Sequence, residues 1–276
     1  MNHPNSELAG RLIQLRTLLC TWRRGLVLFS GGVDSSLLLQ VAHEIMGEGL
    51  AALTLHGPHN LPQERDEAWQ LARTLGVTLF EQEFDPLVLP DFHHNTPRRC
   101  YACKKAIYQR GLKVLAEWGG EVLCDGANYD DLQDYRPGHQ AARELGVRSP
   151  LQEVGLTKAE IRSLSRKLGL PGWDKPAQSC LATRFPPHTR LTRPDLAKVA
   201  SVEEFLLKQG LAPVRVRVHG SLVRLEMSPP HWPRLLAAEL LAPLKKLIND
   251  LGWRYLTLDL KGYQTGSMNL EPPIRD

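Results

Sequence analysis

Ser30-Gly31-Gly32-Val33-Asp34-Ser35-Ser36 brings three hydroxyls, two glycines and one carboxylate into a single short stretch. The apolar run Leu26-Val27-Leu28-Phe29 precedes it and a helical pattern over 33–46 follows, so the stretch reads as a turn between a buried strand and a helix. That context gathers backbone N–H groups and the positive end of a helix dipole on one spot, which suits an anion. Gly31 and Gly32 let the backbone approach a phosphate closely, and Ser30, Ser35 and Ser36 can donate to its oxygens. Asp34 would repel a phosphate, so it is expected to hold Mg²⁺ or to cap the helix. The loop has no lysine, which excludes the Gly-Lys-Ser/Thr type of nucleotide loop. The plainer alternative is a glycine turn with Asp34 as a mere cap; the strand-turn-helix context favours the phosphate site.

The second group with chemistry is the cysteines. Cys100-Tyr101-Ala102-Cys103 is read as lying just before a helix, with Lys104 and Lys105 placed to stabilise thiolates. A C-x-x-C alone fits a redox pair, half a zinc site, or two ligands of an iron–sulfur cluster. Cys180, in the irregular segment Pro176-Ala177-Gln178-Ser179-Cys180-Leu181-Ala182-Thr183-Arg184, is the natural third ligand. Three thiolates on a [4Fe–4S] cluster leave one iron for an exogenous sulfide, which would suit sulfur delivery. The rival arrangement is zinc completed by His93 or His94, or no metal at all, with Cys180 as a small buried residue. Cys20, on the first helix, and Cys124, in a strand, are read as packing residues.

These groups need elements to hold them. Periodicity predicts a helix over 6–22, a strand over 26–29, a helix over 33–46, a strand over 50–55, a helix over 62–75 and a strand over 77–84. A helix over 104–118, a strand over 121–124 and a helix opening at the Thr157-Lys158-Ala159-Glu160 capping box continue the alternation. Strands alternating with helices imply βαβ units and a parallel sheet. Beyond Arg190 the order becomes helix, strand, strand, helix, strand. There Val214, Val216 and Val218 alternate with Arg215 and Arg217, predicting one apolar and one basic strand face, and His219-Gly220-Ser221 turns into a strand over 222–227 that carries Arg224 and Glu226. The expected organisation is an α/β domain, parallel sheet flanked by helices, over 1–187, and a small α+β domain over 188–276.

The chain is 276 residues long, which is enough for both. No stretch approaches the roughly 20 apolar residues a membrane span needs, and the start, MNHPNSELAG, lacks the order of a signal peptide. A cytoplasmic protein is expected, and with it reduced thiols rather than a disulfide framework for the five cysteines. A net charge of +4 favours anionic ligands without the clustered basic surface of a dedicated nucleic-acid binder.

The loop SGGVDSS resembles that of the PP-loop ATP pyrophosphatases, which cleave ATP to AMP and pyrophosphate and adenylylate a substrate oxygen. Together with RRCYACKK, ANYDDLQDYRPG, PAQSCLATR and the ending VRVRVHG…LTLDLKGYQTGSMN, it is similar to the LarE family of sulfur transferases over nearly the whole chain. The resemblance implies a PP-loop pyrophosphatase domain and a C-terminal substrate and sulfur-transfer domain. It implies ATP, Mg²⁺ and a small mononucleotide substrate, pyridinium-3,5-biscarboxylic acid mononucleotide, one carboxylate of which becomes a thiocarboxylate on the way to a nickel-pincer nucleotide. In one branch a cysteine gives up its own sulfur and becomes dehydroalanine; in the other a C-x-x-C and that cysteine hold a [4Fe–4S] cluster.

Cys180 matches the sulfur-handling cysteine, and Cys100 and Cys103 the additional cluster ligands, which points to the cluster branch with an external sulfide source. Ser30, Gly31, Gly32, Asp34, Ser35 and Ser36 match the ATP loop. Glu203, Arg215 and Arg224 fall where the family carries acidic and basic residues around a substrate phosphate; their alternatives are a solvated helix position and a solvated sheet face. Asn128, Asp131, Asp134 and Arg136 match a segment at a strand's C-terminal end, as magnesium or substrate groups or as turn residues. Gln264 departs from an arginine expected in that tail. A homo-oligomer is expected, and neither a membrane nor a nucleic-acid partner. The rivals are a tRNA thiolation enzyme of the same superfamily and a non-catalytic iron–sulfur sensor that binds nucleotide.

Overall fold

The computed structural model describes residues 4–132, 138–176 and 178–264. Its elements in chain order are α1 (Pro4–Leu19), β1 (Gly25–Leu28), α2 (Val33–Met46), β2 (Leu50–His56), α3 (Pro62–Leu75), β3 (Thr78–Glu83), α4 (Pro90–His93), α5 (Arg99–Trp118), β4 (Val122–Cys124), α6 (Gly138–Glu144), α7 (Pro150–Glu153) and α8 (Lys158–Lys167). There follow α9 (Arg193–Lys208), β5 (Val214–His219), β6 (Leu222–Met227), α10 (Trp232–Leu236), α11 (Ala238–Asp250) and β7 (Tyr255–Leu258). Two compact units result: Met1–Gly57 with Pro62–Asp85 and Arg98–Ala177, and Pro58–Leu61 with Pro86–Pro97 and Gln178–Asp276.

The first unit is built on a four-stranded, all-parallel sheet in the order β3-β2-β1-β4. The period of two along its strands assigns each apolar residue to a side. Val27, Leu50, Ala52, Val122 and Cys124 pack with α1, α2, α3, α7 and α8, whereas Leu26, Ala51, Leu53 and Leu123 pack with α5 and α6. Burial on both faces is the reason these strands read as continuous apolar runs. The chain leaves β1 toward β2 and β3 on one side, and β4 returns on the other, so the order reverses between β1 and β4. A crevice at the carboxyl ends of strands beside such a reversal is where open α/β sheets take ligands. The loops that follow β1 and β4 therefore carry the site.

The predicted elements are present, with one shift that matters. α5 begins at Arg99 rather than near 104, which puts Cys100 and Cys103 inside its first turns. Pro97 sits just ahead of the start, where a missing N–H costs nothing, and Arg98, at the N-cap, makes no side-chain cap. Nothing in that stretch looks like a sequence start signal. The Thr157 capping box forms as expected: Glu160 N–H reaches the Thr157 hydroxyl at 3.4 Å and Thr157 N–H reaches Glu160 Oε2 at 2.9 Å.

The second unit holds a three-stranded sheet, β5-β6-β7, with β5 and β6 antiparallel and β6 and β7 parallel through the α10–α11 crossover. It also takes in two excursions from the amino-terminal half. Backbone bonds from Leu181 to His59 O (2.9 Å), Leu191 to His93 O (2.7 Å) and His188 to Asn95 O (3.1 Å) tie them in. Asn95, fully buried with a positive φ of 49°, donates its amide to the carbonyls of Phe185 and Pro186.

Candidate functional site

In the first unit the predicted loop lies at the turn from β1 into α2. Gly31 takes a left-handed φ of 74°, and a Cβ there would stand 3.2 Å from Ala68 Cβ and 3.3 Å from Glu64 O, so both conformation and space call for glycine. Gly32 caps α2 with extended backbone and no side-chain bond, which leaves the helix start to a ligand or water. Ser30 Oγ lies 3.2 Å from Ser35 Oγ and 3.4 Å from the Gly32 N–H that donates to it. Ser35 Oγ in turn donates to Gly32 O at 3.1 Å. Ser35 and Ser36 are buried. The loop after β4 closes on it: a Cβ at Gly126 would come within 2.9 Å of Ser35 N, a contact only glycine permits.

Buried Asp125 fixes that second loop. Its carboxylate accepts from Tyr108 Oη at 2.6 Å, Ser149 Oγ at 2.7 Å and Ala127 N–H at 3.1 Å. Burial, then the Asp125 charge, pushes the Tyr108 phenol far above its ordinary value, so it stays a donor. Asn128 follows, its Oδ1 taking the N–H groups of Asp130 (3.0 Å) and Asp131 (3.3 Å), and Asp131 Oδ2 takes Asn128 N–H at 3.0 Å. The Asp131 carboxylate is thus engaged in the turn. Asp134 and Arg136 lie outside the described residues.

Asp34, in the first turn of α2, has a partner that the sequence reading missed. Lys158 Nζ, from the first turn of α8, stands 2.8 Å from Asp34 Oδ1 and 2.6 Å from Oδ2, and Asn128 Nδ2 donates to Oδ2 at 3.3 Å. The loop lacks a lysine of its own, and one arrives from 124 residues away. The Thr-Lys-Ala-Glu box signalled a helix start and nothing more.

The cysteines separate into kinds. Cys100 is exposed and Cys103 half-buried on the first turns of α5, three residues apart and so on one helix face. Lys104 and Lys105 do not serve them as expected. Lys105 Nζ donates to Tyr101 Oη at 3.0 Å, and Lys104 lies over the Tyr108 ring at 5.4 Å. The electropositive element beside the two thiols is the helix start itself. Cys124 is buried, and burial, then Asp125, raises its thiol well above the usual range, as befits a packing residue. Cys20 is exposed, one residue past the end of α1, and is not the packing residue expected. Among the described residues no group of three or more His, Cys, Asp or Glu stands as a ready metal site. His93 Nε2 accepts from Arg190 Nε at 3.0 Å and His94 Nδ1 donates to Pro90 O at 3.0 Å, so both suggested zinc ligands have other work.

In the second unit Cys180 is half-buried and begins the 3₁₀ turn Leu181–Arg184. Its carbonyl accepts from Thr183 N–H (2.9 Å), Thr183 Oγ1 (2.8 Å) and Arg184 Nη1 (3.4 Å). Arg184, which the sequence reading passed over, is fully buried; its Nη1 also reaches Ser179 Oγ and Thr183 Oγ1, both at 2.7 Å. Its other edge forms a two-pronged bond with Glu203, Nε to Oε1 at 2.7 Å and Nη2 to Oε2 at 2.9 Å, and Val216 N–H takes Oε1 at 2.9 Å. Glu203 is 0% exposed and both its oxygens are used internally. It can serve a substrate site only through Arg184. In such a buried pair, loss of either partner strands the other's charge, a cost of about 3–5 kcal/mol.

The arginine face of β5, for which a solvated sheet face was the alternative to a phosphate site, is covered. Arg215 is 2% and Arg217 4% exposed. Glu226 and Thr183, arriving from β6 and the Cys180 turn, account for Arg217, with Nε to Glu226 Oε2 at 3.0 Å and Nη1 to Thr183 O at 2.8 Å. Arg224, less buried, pairs with Glu226 Oε1 at 2.9 Å and Asp259 at 3.4 Å. Arg215 donates to Val214 O at 2.8 Å and lies 5.1 Å over the Tyr263 ring, beside exposed Gln264. Burial, then the neighbouring Arg184 guanidinium, lowers the Arg215 pKa from its ordinary value. Arg184, Arg215 and Arg217 are buried beside Glu203 and Glu226.

No helix among the described residues is long and apolar enough to cross a membrane. No family model matches the chain. It is 38% identical over 262 residues, 95% of its length and 98% of the relative's, to an uncharacterised protein of Synechocystis sp.. It is 35% identical over 265 residues, 96% of its length and 95% of the relative's, to the pyridinium-3,5-bisthiocarboxylic acid mononucleotide synthase of Lactiplantibacillus plantarum. A more distant match, 30% identical over 189 residues and 54% of the chain, covers 51% of the tRNA-specific 2-thiouridylase MnmA of Rickettsia peacockii.

Proposed function

The chain belongs to the LarE family within the PP-loop superfamily, and from that premise we propose that it adenylylates a carboxylate of pyridinium-3,5-biscarboxylic acid mononucleotide and converts it to a thiocarboxylate. The observation that carries the reading is the loop between β1 and α2, with Asp34, Ser30 and Ser35 gathered at an uncapped helix start. ATP binds there with Mg²⁺. Asp34 is the residue that would hold the cation, which would neutralise phosphate charge there. A substrate carboxylate attacks the α-phosphorus and pyrophosphate leaves; loop N–H groups and the hydroxyls of Ser30, Ser35 and Ser36 stabilise the developing charge.

The acyl adenylate is a reactive acyl donor, so the second step needs a sulfur nucleophile rather than a strong base. Cys180 stands on a turn where its carbonyl oxygen accepts three hydrogen bonds, which fixes the backbone that carries the nucleophile. When its sulfur is the donor, Sγ attacks the acyl carbon and AMP departs; elimination then passes the Cα proton of Cys180 to water, and cleavage of the Cβ–Sγ bond leaves the thiocarboxylate and dehydroalanine. The alternative donor is an external sulfide. Cys100, Cys103 and Cys180 are the thiols that would hold a [4Fe–4S] cluster; the pair on α5 suits two of its ligands by spacing and exposure. When bound, such a cluster supplies an iron with no protein thiolate, on which a sulfide can be carried. Iron and sulfide counted per chain after anaerobic purification distinguish the two donors.

The C-terminal region, 188–276, is the substrate side of this scheme. Arg215 and the more exposed Arg224 are the guanidinium groups assigned to the substrate phosphate, and Glu203 acts by holding Arg184. Arg215→Ala is expected to weaken mononucleotide binding about tenfold to a hundredfold, the scale of one charged hydrogen bond, while ATP binding holds. Calorimetric titration with each ligand measures this. Equal losses for both, or none, would remove Arg215 from the substrate site. Pyrophosphate release that requires both ATP and the mononucleotide separates an enzyme from a sensor. Release driven instead by tRNA would favour the thiolation reading that the MnmA match keeps open.

A further inference from the structure

The chain reverses at the end of α8. Gly169 takes a φ of 69°, Leu170 is buried with its N–H on Ser165 O at 2.9 Å, and Pro171 cannot extend the helix. The segment that follows runs back along α8. Arg166, near the helix end, lies 5.0 Å over the Trp173 ring. Arg162, one turn earlier, divides its guanidinium between two carbonyls, with Nη1 to Trp173 O at 3.0 Å and Nη2 to Lys175 O at 2.6 Å. Arg166, Arg162 and Lys158 are spaced four residues apart and share one helix face, so the returning chain heads for the start of α8, where Lys158 meets Asp34. On its other side Lys175 Nζ reaches Glu67 Oε1 of α3 at 2.6 Å. That helix also supplies the Glu64 and Ala68 atoms that crowd Gly31. The turn 172–175 is thus fastened to two helices that border the loop after β1.

The Lys175–Glu67 pair is about half exposed on both sides and holds the turn only weakly, so Arg162 is the main fastening. A planar guanidinium spent on two main-chain carbonyls fixes peptide planes. Cys180 follows Lys175 by five residues, at most about 18 Å of extended chain. Whatever holds Lys175 therefore limits how far the sulfur can stray from α8.

We propose, resting on the adenylylation and Cys180 readings above, that Arg162 is a positioning residue for sulfur transfer. It fastens the segment leading to Cys180 beside the loop after β1, so that the acyl adenylate meets sulfur before it meets water. With the fastening lost, the adenylate still forms, but water attacks the acyl carbon, its protons pass to solvent, AMP departs and the carboxylate is restored. The rival is that Arg162 only stabilises the turn.

Thiocarboxylate formed per AMP released decides between them, measured on the full chain under anaerobic conditions with ATP, Mg²⁺ and the mononucleotide. Arg162→Ala is expected to go on releasing AMP with substrate while that ratio falls about tenfold or more, since a misplacement of about 1 Å can cost a positioned reaction about a hundredfold. Arg162→Lys, able to hold one carbonyl, recovers part of the ratio. The melting temperature is followed alongside, because the rival predicts a lower one with an unchanged ratio. A parental ratio in Arg162→Ala overturns the proposal at any melting temperature. AMP and thiocarboxylate that fall in step overturn it too, because Arg162 then serves adenylylation or the fold. A parent that releases no AMP with substrate overturns the adenylylation reading, and one that releases AMP without thiocarboxylate overturns the sulfur-transfer reading; either takes the proposal with it.

Discussion

Cys180→Ala abolishes sulfur transfer and leaves acyl adenylate formation in place. The expectation follows from the division of labour between residues. Adenylylation is assigned to the loop after β1, whose partners Asn128 and Lys158 both belong to the first unit. Cys180 belongs to the second, where its carbonyl is held by Thr183 and Arg184 through main-chain contacts that alanine keeps. The substitution removes a half-buried sulfur and little else, so the fold should survive it. Thiocarboxylate product and AMP are measured in parallel, by mass and by chromatography; product falls to background while AMP still appears with substrate. Undiminished sulfur transfer by Cys180→Ala would sink the assignment. Cys100→Ala divides the two sulfur routes, since it blocks repeated turnover if the cluster carries the sulfur. If Cys180 sacrifices its own, the same variant still gives one product per chain and a Cys180 lighter by one H₂S.

Asp34→Ala should lower substrate-dependent AMP formation by at least about a hundredfold, the scale set by losing one preorganised electrostatic group. Its stability cost is small: Asp34 and Lys158 are 21% and 30% exposed, and a pair that open to solvent contributes about 1 kcal/mol or less. A variant that melts with the parent but releases AMP at the parental rate would remove Asp34 from the site.

The alternation of apolar runs with helical patterns was enough to read the parallel sheet, because β1, β2 and β4 are buried on both faces and each ends at a helix or glycine turn. The turn between β1 and α2 was legible for the same reason, being a local strand-turn-helix signal. What escaped were contacts between residues distant in the chain. Lys158 announced itself only as part of a capping box, and Asp34 gave no sign of which cation it would meet. Arg184 and Glu203 are 19 residues apart, and no local period marks two charges that neutralise each other in a core. The two faces of β5 were legible, but the burial of the basic one was not. Its Val-Arg alternation is the pattern of a half-solvated strand, yet both faces are covered, because Glu226 and the Thr183 carbonyl take the arginine face out of water. The start of α5 escaped for want of a cap: Arg98 makes none, and the two cysteines looked like loop.

The central claim is that a substrate carboxylate attacks the α-phosphorus of ATP and is then replaced at one oxygen by sulfur. Mononucleotide substrate carrying heavy oxygen in its carboxylates tests it in one incubation with ATP, Mg²⁺ and the full chain under anaerobic conditions. The account predicts that AMP, separated and weighed, carries one heavy oxygen from the carboxylate for each thiocarboxylate formed, with unlabelled pyrophosphate beside it. AMP without label, or ADP and phosphate in its place, would contradict it.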